Sequence, residues 1–349
     1  MAWSNCLSRL TMNRDDIDNL IQKGSFSCAC NQPELQETHI SWIILCDQDV
    51  FKIKKPIHYD FLDFSTPEQR KYFCQEEVRL NNRLTQGIYL GVVTVSRLQD
   101  RFAIGTSMGE TIDFAVHMKR LPDQRRMDLL LTRGMVGDQD IFAIADQLIT
   151  FHSKTTRFDN QDTEGLLVKV NAIQQHEQYV TQKLGEEYGI IIRQMIDLNT
   201  RFLNENHLML QERGHSGFVR DCHGDLHSRN IFLAERPIIF DCIEFNPDYR
   251  RIDLLNEIAF FCMDLESFGC RELAEVFLEY YNTNYPICRN EREYALFVFY
   301  KAYRANVRAK VNLLRAISDA HNDAYLGEAA RYLDLMQGYS KELGAINER

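Results

Sequence analysis

The sequence predicts an α+β protein with a β-rich N-terminal lobe and a larger, mainly helical C-terminal lobe. In the first third of the chain, short apolar runs rich in β-branched and aromatic residues alternate with turn residues, as in half-buried strands. After Pro122, apolar residues recur three or four positions apart, which is the spacing of one helix face. We place the hinge between Met118 and Pro122, so that residues 1–118 form the first lobe and residues 119–349 the second.

The elements of the first lobe follow from these runs. WIILC (42–46) and VFKI (50–53) flank a turn-like Asp-Gln-Asp triplet and are typical of a β-hairpin. Further strands are expected at residues 89–95, 102–104 and 112–116. One helix is expected here, and it begins at Ser65-Thr66-Pro67-Glu68, which combines a capping box with a proline at the first helical position.

The second lobe is predicted to be helical apart from one strand pair. Residues such as Ile141, Ile144 and Leu148 lie on one face of a helix. The single strand pair is expected around residues 231–241, where two apolar runs flank Glu235 and Arg236.

Composition excludes several classes of function. The formal charge of -10 argues against general affinity for nucleic acid or an anionic membrane, since both are bound by clustered lysine and arginine. The longest apolar run, residues 295–300, is too short to cross a bilayer, and the polar N-terminus has no apolar signal core. A cytoplasmic location is therefore expected.

The ten cysteines are scattered singly, as expected of small hydrophobic residues in a reducing compartment. Cys28 and Cys30 form the one close pair. Neither a second close cysteine pair nor a histidine cluster at ligand spacing accompanies it, so no metal site is predicted there.

The segment HGDLHSRN, residues 223–230, is the strongest signal for chemistry. If Glu235 and Arg236 form a two-residue hairpin turn, Asn230 lies opposite Asp241. An amide oxygen and a carboxylate in that arrangement can share a hard cation such as Mg²⁺. Asp225, on the loop that enters the hairpin, can orient a substrate hydroxyl and accept its proton.

This spacing resembles the catalytic loop of aminoglycoside phosphotransferase-like kinases. The stretches FDCIEFNPDYRRIDLLNEIAF, ETHISW, KIKKP and FLDFST resemble a bacterial subgroup of predicted small-molecule kinases, over nearly the whole chain. Some members of that subgroup carry a further C-terminal P-loop domain, and no GxxxxGK[ST] motif occurs here. The resemblance implies a two-lobed protein-kinase-like fold that binds ATP and Mg²⁺ between its lobes and phosphorylates a hydroxyl of a small molecule.

A kinase of this type needs a lysine on the nucleotide phosphates and a carboxylate to hold that lysine. Lys52 is the first candidate and Lys54 the alternative, because both alternate with Phe51 and Ile53 along one strand. Glu77 is the predicted partner, since it is a lone carboxylate within an apolar helical stripe. In place of a glycine-rich loop, the sequence offers Thr38, His39 and Ser41 as nucleotide contacts.

Other polar residues near the motif have more than one interpretation. His223 is expected mainly to hold the catalytic loop by hydrogen bonds. Asp253 is expected to cap the following helix, and Glu244 is either a group near the metal or substrate or a surface carboxylate. The helical stripe of basic residues at positions 301, 304, 308 and 315 is expected to be solvated or ion-paired, unless it faces an anionic substrate.

Two alternatives to a small-molecule kinase remain open. One is a protein kinase-like enzyme, disfavoured by the lack of recognisable DFG and APE segments. The other is a regulatory nucleotide-binding module without turnover, disfavoured because Asp225, Asn230 and Asp241 are all present. The sequence identifies neither the acceptor nor a protein partner.

Overall fold

The computed structural model describes residues 11–59, 62–106, 108–160, 162–319 and 322–347. The chain divides into two compact units. The first comprises residues 1–126 and 238–247, and the second comprises residues 127–237 and 248–349. This division is into compact units and does not define functional lobes. The functional lobes predicted at residues 1–118 and 119–349 stay a prediction.

The first unit is built on one seven-stranded sheet with the order β1-β8-β7-β9-β4-β3-β2. Its strands are β1 (Ser25–Phe26), β2 (Glu34–Glu37), β3 (Ser41–Leu45), β4 (Asp49–Lys54), β7 (Tyr89–Leu98), β8 (Arg101–Ile104) and β9 (Glu110–Lys119). A small separate pair comprises β5 (His58–Tyr59) and β6 (Leu62–Asp63). The strands expected from the apolar runs are all present, and the predicted hairpin is the antiparallel pair β3–β4, in which Leu45 pairs with Val50.

Two helices cover opposite faces of this sheet. The helix α1 (Arg14–Lys23) places Ile17 and Leu20 in a core that includes Phe51 and Ile53 of β4. The helix α2 (Pro67–Asn81) places Cys74 in a second core with Val50. The alternation of β4 therefore directs Lys52 and Lys54 to the α2 side, as the sequence indicated.

Only one helix was expected in the N-terminal part, and α1 is an addition to that prediction. Asn13 caps α1 through a capping box with Asp16. The apolar stripe of α1 is short and surrounded by charged residues, so the spacing of apolar residues does not reveal this helix. The helix α2 begins as predicted, with Thr66 accepting a hydrogen bond from the backbone N–H of Gln69 and proline in the first turn.

A disulfide joins Cys30 to Cys46. The prediction that the cysteines are isolated hydrophobic residues is therefore wrong for this pair. Cys46 ends the β3 side of the hairpin turn, and chain folding brings Cys30 beside it although sixteen residues separate the two. Spacing along the sequence does not reveal such a pairing.

The second unit is mainly helical. Its helices are α3 (Met127–Leu131), α4 (Asp138–Lys154), α5 (Thr163–Asn171), α6 (Glu177–Leu184), α7 (Glu186–His215), α8 (Leu254–Ser267), α9 (Arg271–Asn284), α10 (Glu291–Ser318) and α11 (Ala324–Asn347). The long helix α10 packs against both α8 and α11. None of the helices in the described ranges is long and apolar enough to cross a membrane.

Short strands interrupt these helices at more places than predicted. An antiparallel three-stranded sheet contains β10 (Arg157–Phe158), β11 (Val219–Asp221) and β14 (Arg251–Asp253). The expected strand pair corresponds to β12 (Ile231–Leu233) and β13 (Pro237–Ile239). Three residues lie between these two strands, so the predicted two-residue turn is one residue too short.

Candidate functional site

In the first unit, the structure brings together a cluster of two lysines and three carboxylates. We call it the lysine cluster, and it comprises Lys52, Lys54, Glu77, Asp241 and Glu244. Lys52 Nζ lies 2.9 Å from Glu77 Oε1 and 2.6 Å from Asp241 Oδ1. Lys54 Nζ lies 2.7 Å from Glu77 Oε2 and also contacts Glu244 Oε1. Each oxygen of Glu77 therefore holds one lysine.

Solvent exposure separates the two lysines. The side chain of Lys54 is fully buried, as is that of Glu77, whereas the Lys52 side chain is 10% exposed. The Asp241 side chain is 40% exposed. The Lys52–Asp241 edge of the cluster is thus its accessible edge, and Lys54 and Glu244 form the buried support.

The charges in the lysine cluster shift the pKa of its members. Burial disfavours the ionised form of Glu77, but the charges of Lys52 and Lys54 outweigh it and lower the pKa to about 2. For Lys52, burial acts to lower the pKa, and the Asp241 and Glu77 carboxylates raise it well above its ordinary value. Burial raises the pKa of Glu244.

The segment that carries Asp241 is held by α2 and β7 of the same unit. The backbone N–H of Cys242 donates to Asn81 Oδ1 at 2.9 Å, and Asn81 Nδ2 donates to the Glu77 carbonyl at 2.8 Å. Asp241 itself has a φ of 63°, a left-handed conformation that aspartate tolerates better than most residues. Asn81 was missed from the sequence, although it lies one helical turn after Glu77 on the same face.

The predicted nucleotide contacts at the β2–β3 turn have local roles in the structure. Thr38 Oγ1 lies 2.9 Å from the backbone nitrogen of Ser41, whose N–H it accepts, and 3.2 Å from the Ser41 carbonyl, to which it donates. Ser41 is buried, and its hydroxyl has no hydrogen-bond partner in the described part of the chain. His39 is exposed.

In the second unit, the catalytic loop predicted at residues 223–230 is a compact polar structure. Asp225 Oδ2 accepts a hydrogen bond from Asn230 Nδ2 at 3.0 Å and lies 3.3 Å from His227 Nε2. The Asn230 amide also donates to the Asp225 carbonyl at 3.0 Å. Two acceptors thus fix the amide nitrogen of Asn230, and its Oδ1 points away from Asp225.

Neighbouring side chains shift the pKa of Asp225 downward. Burial alone would raise its pKa, but His227 and the Arg308 guanidinium lower the pKa below its usual range. The Asp225 side chain is 34% exposed. Its Oδ1 makes no hydrogen bond to a described residue, so this oxygen is free to accept one.

The backbone of the loop is anchored by buried groups. His223 Nδ1 accepts the Asp225 N–H at 3.2 Å, which matches the structural role expected of this imidazole. Glu257 accepts the N–H groups of His223 and Gly224 at 2.6 and 3.0 Å. Asp264 accepts the N–H of Ser228 at 2.7 Å.

Glu257 and Asp264 were not predicted from the sequence. Glu257 is a lone carboxylate in the apolar segment LLNEIAFF, which is the same signal that selected Glu77. Asp253 caps α8 as expected, and both of its oxygens also bind Arg213, at 2.7 and 2.8 Å.

The prediction for the basic stripe on α10 is wrong in one respect. The stripe was expected to be solvated or ion-paired, and Lys301 is indeed paired with Glu266 at 3.0 Å. Arg304 and Arg308 are buried, and no described carboxylate lies within 4 Å of either guanidinium. The reason is the packing of α10 between α8 and α11, which removes this face from solvent.

No family model matches the chain. Uncharacterized proteins of Mycobacterium tuberculosis and Mycobacterium bovis are each 33% identical to it over 287 residues, which is 81% of this chain and 55% of each relative. The chain therefore spans about half the length of the curated relatives it matches.

Solved structures provide the comparison that decides the fold. A choline/ethanolamine kinase family protein from Mesorhizobium loti aligns over 100% of both chains with a TM-score of 0.53 and 13% identity. The GDP and kanamycin complex of APH(2")-IIia aligns over 95% of this chain and 99% of that one, with a TM-score of 0.52 and 12% identity. This chain has the aminoglycoside phosphotransferase-like kinase fold. The predicted α+β fold with a sheet-based N-terminal part and a helical C-terminal part is thereby confirmed.

Proposed function

We propose that the chain is an ATP- and Mg²⁺-dependent phosphotransferase that moves the γ-phosphate to a hydroxyl of a small molecule. The observation that carries the proposal is the Asp225–Asn230 pair. Its hydrogen bonds leave one carboxylate oxygen of Asp225 and the amide oxygen of Asn230 without a partner in the described part of the chain. The kinase-like fold supports the proposal, since small-molecule kinases share it.

The oxygen donors on the chain suit magnesium. Mg²⁺ prefers hard oxygen ligands and binds few protein groups besides phosphates and water. Asp241 offers an exposed carboxylate, and Asn230 offers its amide oxygen. We retain both as the proposed metal ligands, and bound Mg²⁺ would neutralise charge on the nucleotide phosphates.

Lys52 is the proposed phosphate-binding lysine. It lies at the accessible edge of the lysine cluster, whereas Lys54 is fully buried between Glu77 and Glu244. Glu77 would hold Lys52 in position, as the resemblance implies. Thr38, His39 and Ser41 stay predicted nucleotide contacts at the β2–β3 turn.

In this proposal Asp225 orients the acceptor hydroxyl and takes its proton on Oδ1. The low basicity of this carboxylate suits phosphoryl transfer, because the loose transition state requires little proton removal before the phosphoryl group moves. Catalysis then relies on position and charge, which His223 and Glu257 secure by fixing the loop backbone.

The test is nucleotide binding measured by thermal shift, with ATP and GTP titrated in the presence and absence of Mg²⁺. A ligand at 100 times its dissociation constant stabilises a protein by about 2.7 kcal/mol, which is readily detected. We expect a magnesium-dependent shift. The absence of a shift with either nucleotide would contradict the proposal and favour a module without nucleotide chemistry.

A further inference from the structure

A cavity of about 200 Å³ lies within the helical unit. Three cationic side chains line it, those of Lys169, Arg251 and Arg304. Aromatic side chains complete the wall, among them Phe158, Tyr249 and Tyr303. The cavity therefore combines positive charge with flat apolar surface.

Arg304 lies at the buried end of this cavity and is only 5% exposed. Its Nε donates to Asn256 Oδ1 at 2.7 Å, and its Nη1 donates to the Gly224 carbonyl at 3.1 Å. Its Nη2 makes no hydrogen bond to a described residue. Because Gly224 immediately precedes Asp225, Arg304 links the cavity to the catalytic loop.

Two other buried arginines of the second unit, Arg213 and Arg220, are better satisfied. Arg213 is paired with Asp253 and Glu293. Arg220 has no carboxylate partner, but each of its three nitrogens donates to a carbonyl or hydroxyl oxygen. Arg304 has neither form of compensation at Nη2.

A second guanidinium lies one helical turn further along the same face of α10. Arg308 Nη1 is 3.5 Å from His227 Nε2, and its buried Nε has no hydrogen-bond partner among the described residues. Arg304 and Arg308 thus both contact the catalytic loop, at Gly224 and at His227. An arginine does not lose its proton in proteins, so these charges persist.

The opening of the cavity has mixed charge. Asp162 and Asp248 line it and are exposed. Asp162 is occupied as the cap of α5, where it accepts the Gly165 N–H at 2.8 Å. Lys169 donates to the Asp248 carbonyl oxygen at 3.1 Å, and the Arg251 guanidinium lies over the Phe158 ring at 5.0 Å. The three cationic side chains that line the cavity outnumber these two carboxylates, so the lining is net positive.

We propose that this cavity binds an anionic group, a phosphate or a carboxylate, on the acceptor whose hydroxyl Asp225 receives. The inference rests on the proposed function and specifies its substrate class. Arg304 Nη2 is the donor that the described residues leave without an acceptor, and an anionic ligand would supply that acceptor through charge-assisted hydrogen bonds to the guanidinium. The acceptor is then a hydroxylated acid or a phosphorylated alcohol, and polycationic aminoglycosides are excluded.

The first test measures binding of inorganic phosphate and of acetate, at constant ionic strength against chloride and without nucleotide. Lys169→Gln and Arg251→Gln remove partly exposed cations from the cavity, so they avoid the folding risk of Arg304→Gln. Arg271→Gln is the matched control, since Arg271 is an exposed residue whose ion pair in the described part of the chain is with Glu275. We expect about tenfold weaker binding of the preferred anion in each cavity variant and unchanged binding in the control. Equal binding in all four proteins would overturn the inference.

The second test offers matched hydroxylated compounds in four forms: carboxylate, phosphate ester, neutral amide and amine. We expect kcat/KM for an anionic form to exceed that for the neutral amide at least tenfold. The anionic form with the higher kcat/KM, carboxylate or phosphate ester, identifies the group that the cavity binds. Arg251→Gln should raise KM about tenfold with little change in kcat. Preference for the amide or amine would overturn the inference and leave the kinase proposal intact. A third outcome is phosphate binding that is weakened by Lys169→Gln, in a protein that shows no thermal shift with Mg²⁺ and nucleotide. It would overturn the kinase proposal and leave the anion-binding site.

Discussion

At the scale of single residues, Glu77 is a buried carboxylate that makes two ion pairs. One buried carboxylate neutralises two lysines through its two oxygens. Buried charges are stable only when paired, so the loss of the common partner affects both lysines together. The neighbouring Glu76 is different, because it pairs with Arg79 at the surface.

We therefore expect Glu77→Gln to lower the free energy of unfolding by about 3–5 kcal/mol, the range found when a buried ion pair loses one partner. Urea denaturation followed by far-UV circular dichroism measures the change. Glu76→Gln is the matched control on the same helix and should cost less than about 1 kcal/mol. Similar losses in both variants would show that Glu77 has no special role in the lysine cluster.

Asp225 is expected to be indispensable for turnover and neutral for nucleotide affinity. Asp225→Asn should lower kcat at least about 100-fold, because the proposed general base is lost, while ATP affinity changes less than about twofold. The control Asp159→Asn alters an exposed aspartate and should leave kcat unchanged. In the wild type, the pKa of Asp225 lies below its usual range, so no acidic limb between pH 5 and 8 should arise from it. Full turnover in Asp225→Asn would contradict the assigned role.

At the scale of elements, the β3–β4 hairpin is fastened by a covalent bond near its turn. The Cys30–Cys46 disulfide closes a chain segment with a sequence separation of 16 residues. A loop of about this length gains roughly 3 kcal/mol from cross-linking in the chain-entropy view. The disulfide also bears on the proposed cytoplasmic location, since disulfides rarely persist in a reducing compartment.

Peptide mapping without reductant, after rapid alkylation, should recover the Cys30 and Cys46 peptides joined. Reduction should then lower the free energy of unfolding by about 3 kcal/mol. Cys28→Ser serves as the control, because it leaves both partners in place. Alkylation of both Cys30 and Cys46 before reduction would contradict the disulfide.

The elements also show which parts of the structure can be predicted from sequence. The alternation along β4 and the cap of α2 are local signals, and they correctly indicated the faces of Lys52 and Glu77. The predicted turn of β12–β13 is one residue too short, because an apolar run does not mark where a short strand ends. Helix α1 was not predicted, because its apolar stripe is too short to be distinguished from the charged residues around it.

Long-range partners set the limit of that prediction. The pattern of α10 identifies the stripe that contains Arg304 and Arg308, but not which helices cover it. The hydrogen-bond partners of Arg304 lie 48 and 80 residues away in sequence, at Asn256 and Gly224. The disulfide has the same character, since only the folded sheet brings its cysteines together.

At the scale of the whole molecule, acid should destabilise the fold. The pKa of Glu77 is about 2 in the folded state, compared with 4.5 for an ordinary glutamate. Burial acts to raise this pKa, but the charges of Lys52 and Lys54 lower it by more. A carboxyl with a depressed pKa contributes stability that is present above its unfolded pKa and is lost as the pH falls through the folded value. Glu257 has the same sign, whereas Glu244, whose pKa is raised, acts in the opposite direction.

Between pH 6 and pH 3, the Glu77 contribution to the free energy of unfolding should fall by about 2 kcal/mol. Urea denaturation at several pH values measures this slope. In Glu77→Gln the slope should be smaller by that amount, because the titrating group is gone. Identical slopes in wild type and variant would show that Glu77 does not titrate with a lowered pKa.

In the Lys52–Asp241 ion pair, the Lys52 ammonium group occupies a carboxylate that is also a proposed metal ligand, so Lys52 and the metal compete for Asp241. An ammonium group occupies Asp241 Oδ1 at 2.6 Å, so an incoming divalent cation has to displace it. A nucleotide that draws Lys52 toward its phosphates removes this competitor, and the metal in turn frees Lys52 for the phosphates. The two affinities are then thermodynamically linked, and by reciprocity each ligand strengthens the binding of the other by the same factor.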